Sequence, residues 1–131
     1  QKEMMKTYGK TCICVETTRK TEGDTFYLVT VLVCIEGSIE LPVAWLITNR
    51  CDNQVLGLFI KTLNFFAGGL HTEVFLGDIN LKTYKIWAQH FSKPTKVMLN
   101  SWEVLQVWNN KVETLIPGVT ERNQIKCFLN I

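Results

Sequence analysis

Five cysteines and two histidines are the side chains of this sequence that could ligate a soft metal ion or form disulfide bonds. His71 and His90 lie near no cysteine in the sequence, and no two cysteines have the Cys-x-x-Cys spacing of many zinc sites. Cys12 and Cys14 are two residues apart in an apolar stretch, so on a strand they would face the same side. The pattern predicts buried thiols in an intracellular protein rather than a zinc site or a disulfide framework. The full set is Cys12, Cys14, Cys34, Cys51 and Cys127.

Basic side chains are the second group that could carry a function, because lysine and arginine bind nucleic-acid phosphates. Lys82 and Lys85 fall on a predicted helix, and Arg19 and Lys20 follow the first predicted strand. These four are the candidate nucleic-acid-binding residues, and the alternative is a solvated face of ordinary surface cations. The chain has 14 basic and 12 acidic residues, for a net charge of +2. Duplex DNA binding usually leaves a stronger electrostatic signature, so overall charge favours no class of partner.

Length and composition indicate one ordinary globular domain. The 131 residues are too few for two independent cores, and 47% hydrophobic with 20% charged residues is typical of a packed interior. No apolar run reaches the roughly 18 residues that a membrane span needs. The N-terminus is not a signal peptide and has no initiator methionine. We therefore expect a single domain over residues 1–131, cut from a longer protein and without membrane contact.

Three strands are predicted in the first part of the chain, where β-branched and aromatic residues are frequent. The second and third should form an antiparallel hairpin, because only a short turn separates them. Pro42 lacks a backbone donor, which places the third strand at a sheet edge or at a bulge. The strands are residues 11–16, 26–35 and 39–48, and the turns are Gly23-Asp24 and Glu36-Gly37-Ser38.

The apolar spacing changes to a helical period after the third strand. Asp52 or Asn53 would cap the first helix, and Gly68-Gly69 would end it. The later elements are a strand at 73–77, a helix from near Asn80 to Phe91, a strand at 96–99, a helix at 101–116 capped by Ser101, and a last helix from Thr120 to Phe128. The order β-β-β-α-β-α-β-α-α predicts an α/β protein, a mixed five-stranded sheet with helices on its faces. The predicted core is Val29, Val31, Val43, Phe59, Leu63, Phe75, Trp87 and Trp108.

Several stretches, in this order, resemble the Mutator-like (MULE) transposase domain of the ribonuclease H-like superfamily. Val15 through Thr21 resembles that family's Asp-x-Thr-Tyr-x-Thr strand end. Gly37 through Ile47, with Pro42-Val43-Ala44, resembles its glycine turn and Pro-Val-Ala strand. Val74 through Asp78 resembles its hydrophobic-Thr-Asp strand, and Leu99 through Val104 resembles Leu-Cys-x-Trp-His-Val. The resemblance covers roughly residues 11–116 and implies a ribonuclease H-like fold.

The resemblance implies a catalytic site of three carboxylates holding two Mg²⁺ or Mn²⁺ ions, as in DNA strand transfer. The first acid falls on Glu16, where the family has aspartate, and the second on Asp78. One extra methylene displaces a carboxylate by about 1 Å, which can cost roughly a hundredfold in rate. The alternatives are a strand-end residue for Glu16 and a helix cap for Asp78. The third acid is not selected by any motif; Glu103, Glu113 and Glu121 are the later candidates.

The departures from the family favour a domesticated, non-catalytic domain that acts as a protein- or chromatin-interaction module in a larger nuclear protein. Besides the change at Glu16, the family's Cys and His are replaced by Asn100 and Glu103. On this interpretation we expect no resident metal or cofactor, and we expect a protein partner. Two alternatives stay open: an active metal-dependent strand-transfer enzyme, and a non-catalytic nucleic-acid binder. The oligomeric state and the partner's identity do not follow from the sequence.

Overall fold

A five-stranded mixed sheet with helices packed against it forms the first part of the chain. The computed structural model describes residues 1–20, 25–35 and 39–130, which fall into two compact units divided after Met98. That residues 1–131 make a single domain stays a prediction. The elements are α1 (Lys2–Tyr8), β1 (Cys12–Lys20), β2 (Phe26–Ile35), β3 (Ile39–Thr48), α2 (Asn53–Ala67), β4 (Val74–Gly77), α3 (Lys82–His90), β5 (Lys96–Leu99), α4 (Ser101–Leu115) and α5 (Val119–Leu129).

The strand order across the sheet is β3-β2-β1-β4-β5. β2 runs antiparallel to both β1 and β3, whereas β1 and β4 are parallel. These pairings confirm the predicted α/β class, the mixed five-stranded sheet and the β2–β3 hairpin. β3 is an edge strand, and its register with β2 shifts where Pro42 lies, so both features expected from Pro42 are present. The turns predicted at Gly23-Asp24 and Glu36-Gly37-Ser38 lie outside the described residues.

The core lies between one face of the sheet and helices α1, α2 and α3. The ring of Phe75 on β4 packs against Trp87 of α3, with ring centroids 5.4 Å apart, and Trp87 stacks on Phe91 at 3.9 Å. Predicted core residues that are buried are Val29, Val31, Val43, Leu63, Phe75 and Trp87. Because Phe75 and Trp87 have no exposed surface, this aromatic contact is a large part of what joins α3 to the sheet.

Two members of the predicted core are wrong or only partly right. Trp108 is 45% exposed, and Phe59 is half-buried at the margin of the core. Helical spacing identifies the apolar side of a helix, but it does not reveal whether another element covers that side. Cys12 and Cys14 are buried as predicted, and burial raises the pKa of each thiol to about 12, whereas Cys127 is exposed.

The termini of α2 follow the local sequence. The Asp52 carboxylate accepts hydrogen bonds from the amides of Gln54 and Val55, both at 3.0 Å. Gly68 ends the helix in the left-handed region at φ +74°, which favours glycine. Both signals were predicted from residue type alone, because each depends only on neighbours within one turn.

Three other helix features differ from the sequence prediction. The residue that caps α4 is Asn100, whose side chain accepts the amide of Trp102 at 3.0 Å, so the prediction of Ser101 was wrong. The N-cap of α5 is Gly118 rather than Thr120. Helix α1 was not predicted. It has seven residues and one buried side chain, Met5, so it is too short to show a helical period of apolar residues.

Helices α4 and α5 make up the second unit. Glu113 of α4 forms ion pairs with Lys126 and Arg122 of α5, and the hydrogen bond from Lys126 holds the pKa of Glu113 below its ordinary value. Val112 is the buried residue of α4. In the part of the chain that the structure describes, no helix combines the length and apolarity needed to cross a membrane.

Candidate functional site

Glu16 in β1 and Asp78, the residue after β4, lie at matching positions of two neighbouring parallel strands. The last paired residues are Cys14 and Leu76, and each carboxylate residue lies two positions further along its own strand. Adjacent strands are about 4.8 Å apart. β1 and β4 are thus parallel neighbours in the sheet. Ligands of open α/β sheets bind at such carboxyl ends, so this edge is the candidate site.

Glu16 is not at the end of its strand. β1 continues to Lys20, and Glu16 pairs with Thr30 in a ladder that extends to Lys20 opposite Phe26. The sequence prediction ended this strand at Glu16 and was wrong, because residues 17–20 become a strand only through their pairing with β2. Glu16 therefore lies within the paired hairpin, next to the point where β4 ends.

Asp78 holds the start of helix α3. Its Oδ1 accepts a hydrogen bond from the backbone amide of Lys82 at 2.9 Å, and its carbonyl oxygen accepts one from the amide of Leu81 at 3.0 Å. Leu81 lies in the left-handed region at φ +53°, a conformation that costs free energy for a residue with a Cβ. The two hydrogen bonds that Asp78 accepts stabilise this tight turn into the helix. The N-cap residue of α3 is Leu81 and the helix begins at Lys82, so the expectation that Asp78 is the N-cap of a helix starting near Asn80 was wrong; Asp78 still supplies the acceptor for the first helical amide.

The side chain of Lys82 makes a hydrogen bond within the protein. Its Nζ donates a hydrogen bond to the backbone carbonyl oxygen of Cys51 at 2.6 Å. This bond joins the start of α3 to the loop between β3 and α2. Burial raises the pKa of the Cys51 thiol, and the nearby Lys82 ammonium opposes that shift. A nucleic-acid phosphate would have to compete with this internal bond for Lys82.

The loop after β3 adds a shallow groove at the same edge, because β3 runs in the same direction as β1. Arg50 donates two hydrogen bonds to Oδ2 of Asp52, at 2.9 and 2.6 Å. The amide of Val55 and then the Arg50 guanidinium hold the pKa of Asp52 below its ordinary value. The groove is lined by Arg50, Cys51, Asp52, Asn53, Gln54 and Lys82. Its charges are mixed, so it does not favour a purely anionic ligand.

The other predicted cations lie at two separate places. Arg19 and Lys20 are exposed at the end of the β1–β2 hairpin, three and four residues beyond Glu16. At about 3.3 Å per residue, Lys20 lies roughly 13 Å along the strand from Glu16. The Arg19 guanidinium lies over the ring of Tyr27 at 5.7 Å. Lys85 is exposed one turn after Lys82 on α3.

In the described part of the chain, no third acidic residue joins Glu16 and Asp78 to complete the three-carboxylate pattern. Within residues 1–20, 25–35 and 39–130, no three His, Cys, Asp or Glu side chains come close enough to hold a metal ion together. Of the later candidates, Glu113 is engaged by Lys126 and Arg122. Asn100, at the family's cysteine position, has become the cap of α4. Glu16 and Asp78 alone are fewer ligands than the three-carboxylate pattern needs.

Asp78→Asn is expected to leave the fold intact and to be neutral or slightly stabilising near neutral pH. Asparagine keeps a side-chain oxygen that can accept the hydrogen bond from the Lys82 amide, and it removes one of two like charges at matching strand positions. Asp78→Ala is the matched control, and it should lower the free energy of unfolding by about 0.5–2 kcal/mol because the Lys82 amide loses its acceptor. Thermal unfolding in a chelator measures both. Equal destabilisation by Asn and Ala would contradict the capping role.

Comparison with known proteins finds a likeness among solved structures. No protein-family model matches the chain, and no curated protein matches it. Among solved structures, the chain is similar to a chain of the Drosophila P element transposase strand transfer complex, with a TM-score of 0.47 and 14% sequence identity. The match covers 85% of this chain and 32% of that chain. The chain thus spans about a third of the length of the protein that it resembles.

Proposed function

We propose that this chain is a transposase-derived, ribonuclease H-like domain that has lost catalysis and serves as an interaction module of a larger nuclear protein. The sequence resemblance to Mutator-like transposase domains supports the origin. The parallel pairing of β1 with β4, beside an antiparallel β1–β2–β3 meander, is the arrangement that this fold requires and supports it further. The nuclear location and the protein or chromatin partner rest on the resemblance.

The main support for the loss of catalysis is that the Asp78 carboxylate has a structural role. Its Oδ1 is already an acceptor for the backbone amide of Lys82 at 2.9 Å, so one oxygen of the best-matched acid serves the fold. A metal ion bound there would compete with the Lys82 amide for this carboxylate. Glu16, the other retained acid, is one methylene longer than the family's aspartate and lies within a paired strand. Both changes work against a closely spaced metal pair.

An active metal-dependent strand-transfer enzyme is the second candidate function. The matching positions of Glu16 and Asp78 on adjacent parallel strands favour it, since carboxylate oxygens suit Mg²⁺ and Mn²⁺. These two residues would hold the metal, which would stabilise the attacking and leaving oxygens of a phosphodiester. A non-catalytic nucleic-acid binder is the third, and the exposed Arg19, Lys20 and Lys85 favour it.

We expect the purified chain to show neither cleavage nor strand transfer with labelled DNA and Mn²⁺ or Mg²⁺. The reason is the altered first acid together with the structural use of the second. Calorimetric titration with each metal ion should likewise show no saturable binding. Asp78→Asn is the control, because it keeps the cap and removes a metal-binding charge. Metal-dependent nicking by the wild-type chain that Asp78→Asn abolishes would overturn the proposal in favour of the enzyme. DNA binding without cleavage that is lost on charge reversal of Arg19 and Lys20 would favour the third candidate.

A further inference from the structure

The face of the sheet that points away from the core, here called the outer face, carries two thiols on neighbouring antiparallel strands. Ile13 of β1 and Val33 of β2 lie opposite each other and belong to the core. Because side chains alternate between the two faces of a strand, Cys12 and Cys34 point to the outer face. The same register, continued by one residue beyond the Ile13–Val33 pair, sets Cys12 opposite Cys34. Both thiols are free.

The spacing of this pair suits a disulfide bond. Opposite residues of antiparallel strands have Cα atoms about 4.5 or 5.5 Å apart, depending on the type of pair. A disulfide joins Cα atoms about 4.4–6.8 Å apart, so either type of pair allows the bond without separating the strands. Burial, followed by the interaction with the Cys34 thiol, raises the pKa of the Cys12 thiol to about 12. The two side chains are therefore close as well as opposite.

The other cysteines fit this bond less well. Cys14 lies opposite Leu32, so Cys34 is its diagonal neighbour, with Cα atoms about 7–8 Å apart. That distance exceeds the limit of about 7 Å for a disulfide. Cys12 and Cys14, two residues apart on one strand, are about 6.6 Å apart, close to the same limit. The remaining two are in neither strand, since Cys51 follows β3 and Cys127 is on α5.

We propose that Cys12 and Cys34 are a redox-sensitive modification site, at which a small-molecule disulfide such as oxidised glutathione converts the two thiols into a reversible disulfide bond. Cys34 reacts first, because it is half-buried whereas Cys12 is buried. Its thiolate attacks one sulfur of the oxidant and forms a mixed disulfide, and the released glutathione thiolate takes up the proton that Cys34 lost. The Cys12 thiol then loses its proton, and its sulfur attacks the Cys34 sulfur and releases the second glutathione as a thiol. Two protein thiols are oxidised, and one glutathione disulfide is reduced to two thiols.

The fold keeps the two steps apart. The raised pKa of Cys12 leaves that thiol protonated near neutral pH, so it does not attack an oxidant in solution readily. Once Cys34 carries the mixed disulfide, the Cys12 attack takes place within the molecule, where its effective concentration is high. Cys12 begins β1, four residues before Glu16, so the bond would form roughly 13 Å along the strand from the candidate site. This inference is independent of the proposed function.

The test is disulfide mapping of the whole chain in a Cys51→Ala, Cys127→Ala background, which removes the two thiols outside these strands. The protein is incubated with oxidised glutathione, its remaining thiols are alkylated, and a tryptic digest is analysed without reduction. Trypsin cleaves after Lys10, Arg19, Lys20 and Arg50, so residues 11–19 carry Cys12 and Cys14, and residues 21–50 carry Cys34. We expect these two peptides to be linked in the main product and to separate on addition of dithiothreitol.

Single substitutions in the same background assign the bond. Cys12→Ala should abolish the link and leave glutathione attached to Cys34. Cys14→Ala is the matched control, on the same peptide and the same face, and it should change the yield of the link by no more than about twofold. Cys34→Ala should abolish the link and the mixed disulfide on residues 21–50. Circular dichroism checks that each variant is folded and that oxidation preserves the sheet.

The same reaction in denaturant shows whether the fold selects the pair. Folded protein should give the Cys12–Cys34 link, whereas unfolded protein should give a mixture that includes the Cys12–Cys14 link, because strand pairing no longer holds Cys34 opposite Cys12. A link that survives Cys12→Ala, or that Cys14→Ala abolishes, overturns the proposal. Oxidation that stops at the mixed disulfide in the folded chain, or a link that forms only in denaturant, overturns it equally.

Discussion

Replacing Phe75 with alanine is expected to lower the free energy of unfolding by about 3–5 kcal/mol. Phe75 has no exposed surface, and its ring contacts those of Trp87 and Tyr84, with centroids 5.4 and 5.8 Å away. These neighbours belong to α3, the helix whose first amide, that of Lys82, donates a hydrogen bond to Asp78. Removal of the ring leaves a cavity that the stacked Trp87–Phe91 pair cannot easily fill, since those rings already lie 3.9 Å apart. Chemical denaturation followed by fluorescence measures the loss.

Phe65→Ala is the control for this experiment. Phe65 is the same residue type but is 83% exposed on α2, so its loss should change stability by no more than about 0.5 kcal/mol. A cost below about 1 kcal/mol for Phe75→Ala would show that the site collapses around the missing ring and that α3 is not held to β4 by this contact.

Gly77→Ala is expected to destabilise the protein by about 1–3 kcal/mol, the usual range for overpacking. Gly77 is buried at the end of β4, immediately before Asp78. A Cβ at this position would lie 2.9 Å from Cε1 and 3.4 Å from Cδ1 of Phe75. The Phe75 ring has little freedom to move because its other neighbours are Trp87 and Tyr84. The same denaturation measurement gives the cost.

Gly57→Ala is the matched glycine control. A Cβ there would meet Nε2 of His90 at 3.6 Å and Cγ2 of Ile86 at 4.0 Å, which are ordinary contacts. Because Gly57 is inside helix α2, alanine should stabilise the protein by up to about 1 kcal/mol. If the clash at Gly77 is with the Phe75 ring, its cost should fall in a Phe75→Leu background. A cost that does not depend on residue 75 would contradict this explanation.

Several features that depend on a few neighbouring residues were predicted correctly, although the caps of α4 and α5 were not. The cap at Asp52, the stop at Gly68 and the edge position expected from Pro42 all appear in the structure. Each rests on a backbone property of one residue type: an acceptor side chain, tolerance of positive φ, or a missing donor. The β2–β3 hairpin followed from the alternation of apolar runs and turn residues. Local chemistry decides such features regardless of the rest of the fold.

The candidate site was predicted only in part, because its arrangement depends on residues that are distant in sequence. Family resemblance brought Glu16 and Asp78 together, and the β1–β4 pairing agrees with that placement. The sequence could not show that β1 runs on to Lys20, since that extension depends on hydrogen bonds to β2. Nor could it show that Trp108 is exposed, because an amphipathic pattern does not identify what covers it.

By itself, then, the sequence determined where most helices and strands lie, some of the residues that cap or stop them and which class of sheet they form, because these follow from periodicity and backbone chemistry. Only the tertiary structure decided how the polar side chains of the site are used. The Asp78 carboxylate holds the Lys82 amide, and the Lys82 ammonium holds the Cys51 carbonyl, 31 residues away in sequence. Such bonds depend on the relative positions of β4, α3 and the loop after β3. Long-range packing sets those positions, and no local pattern encodes them.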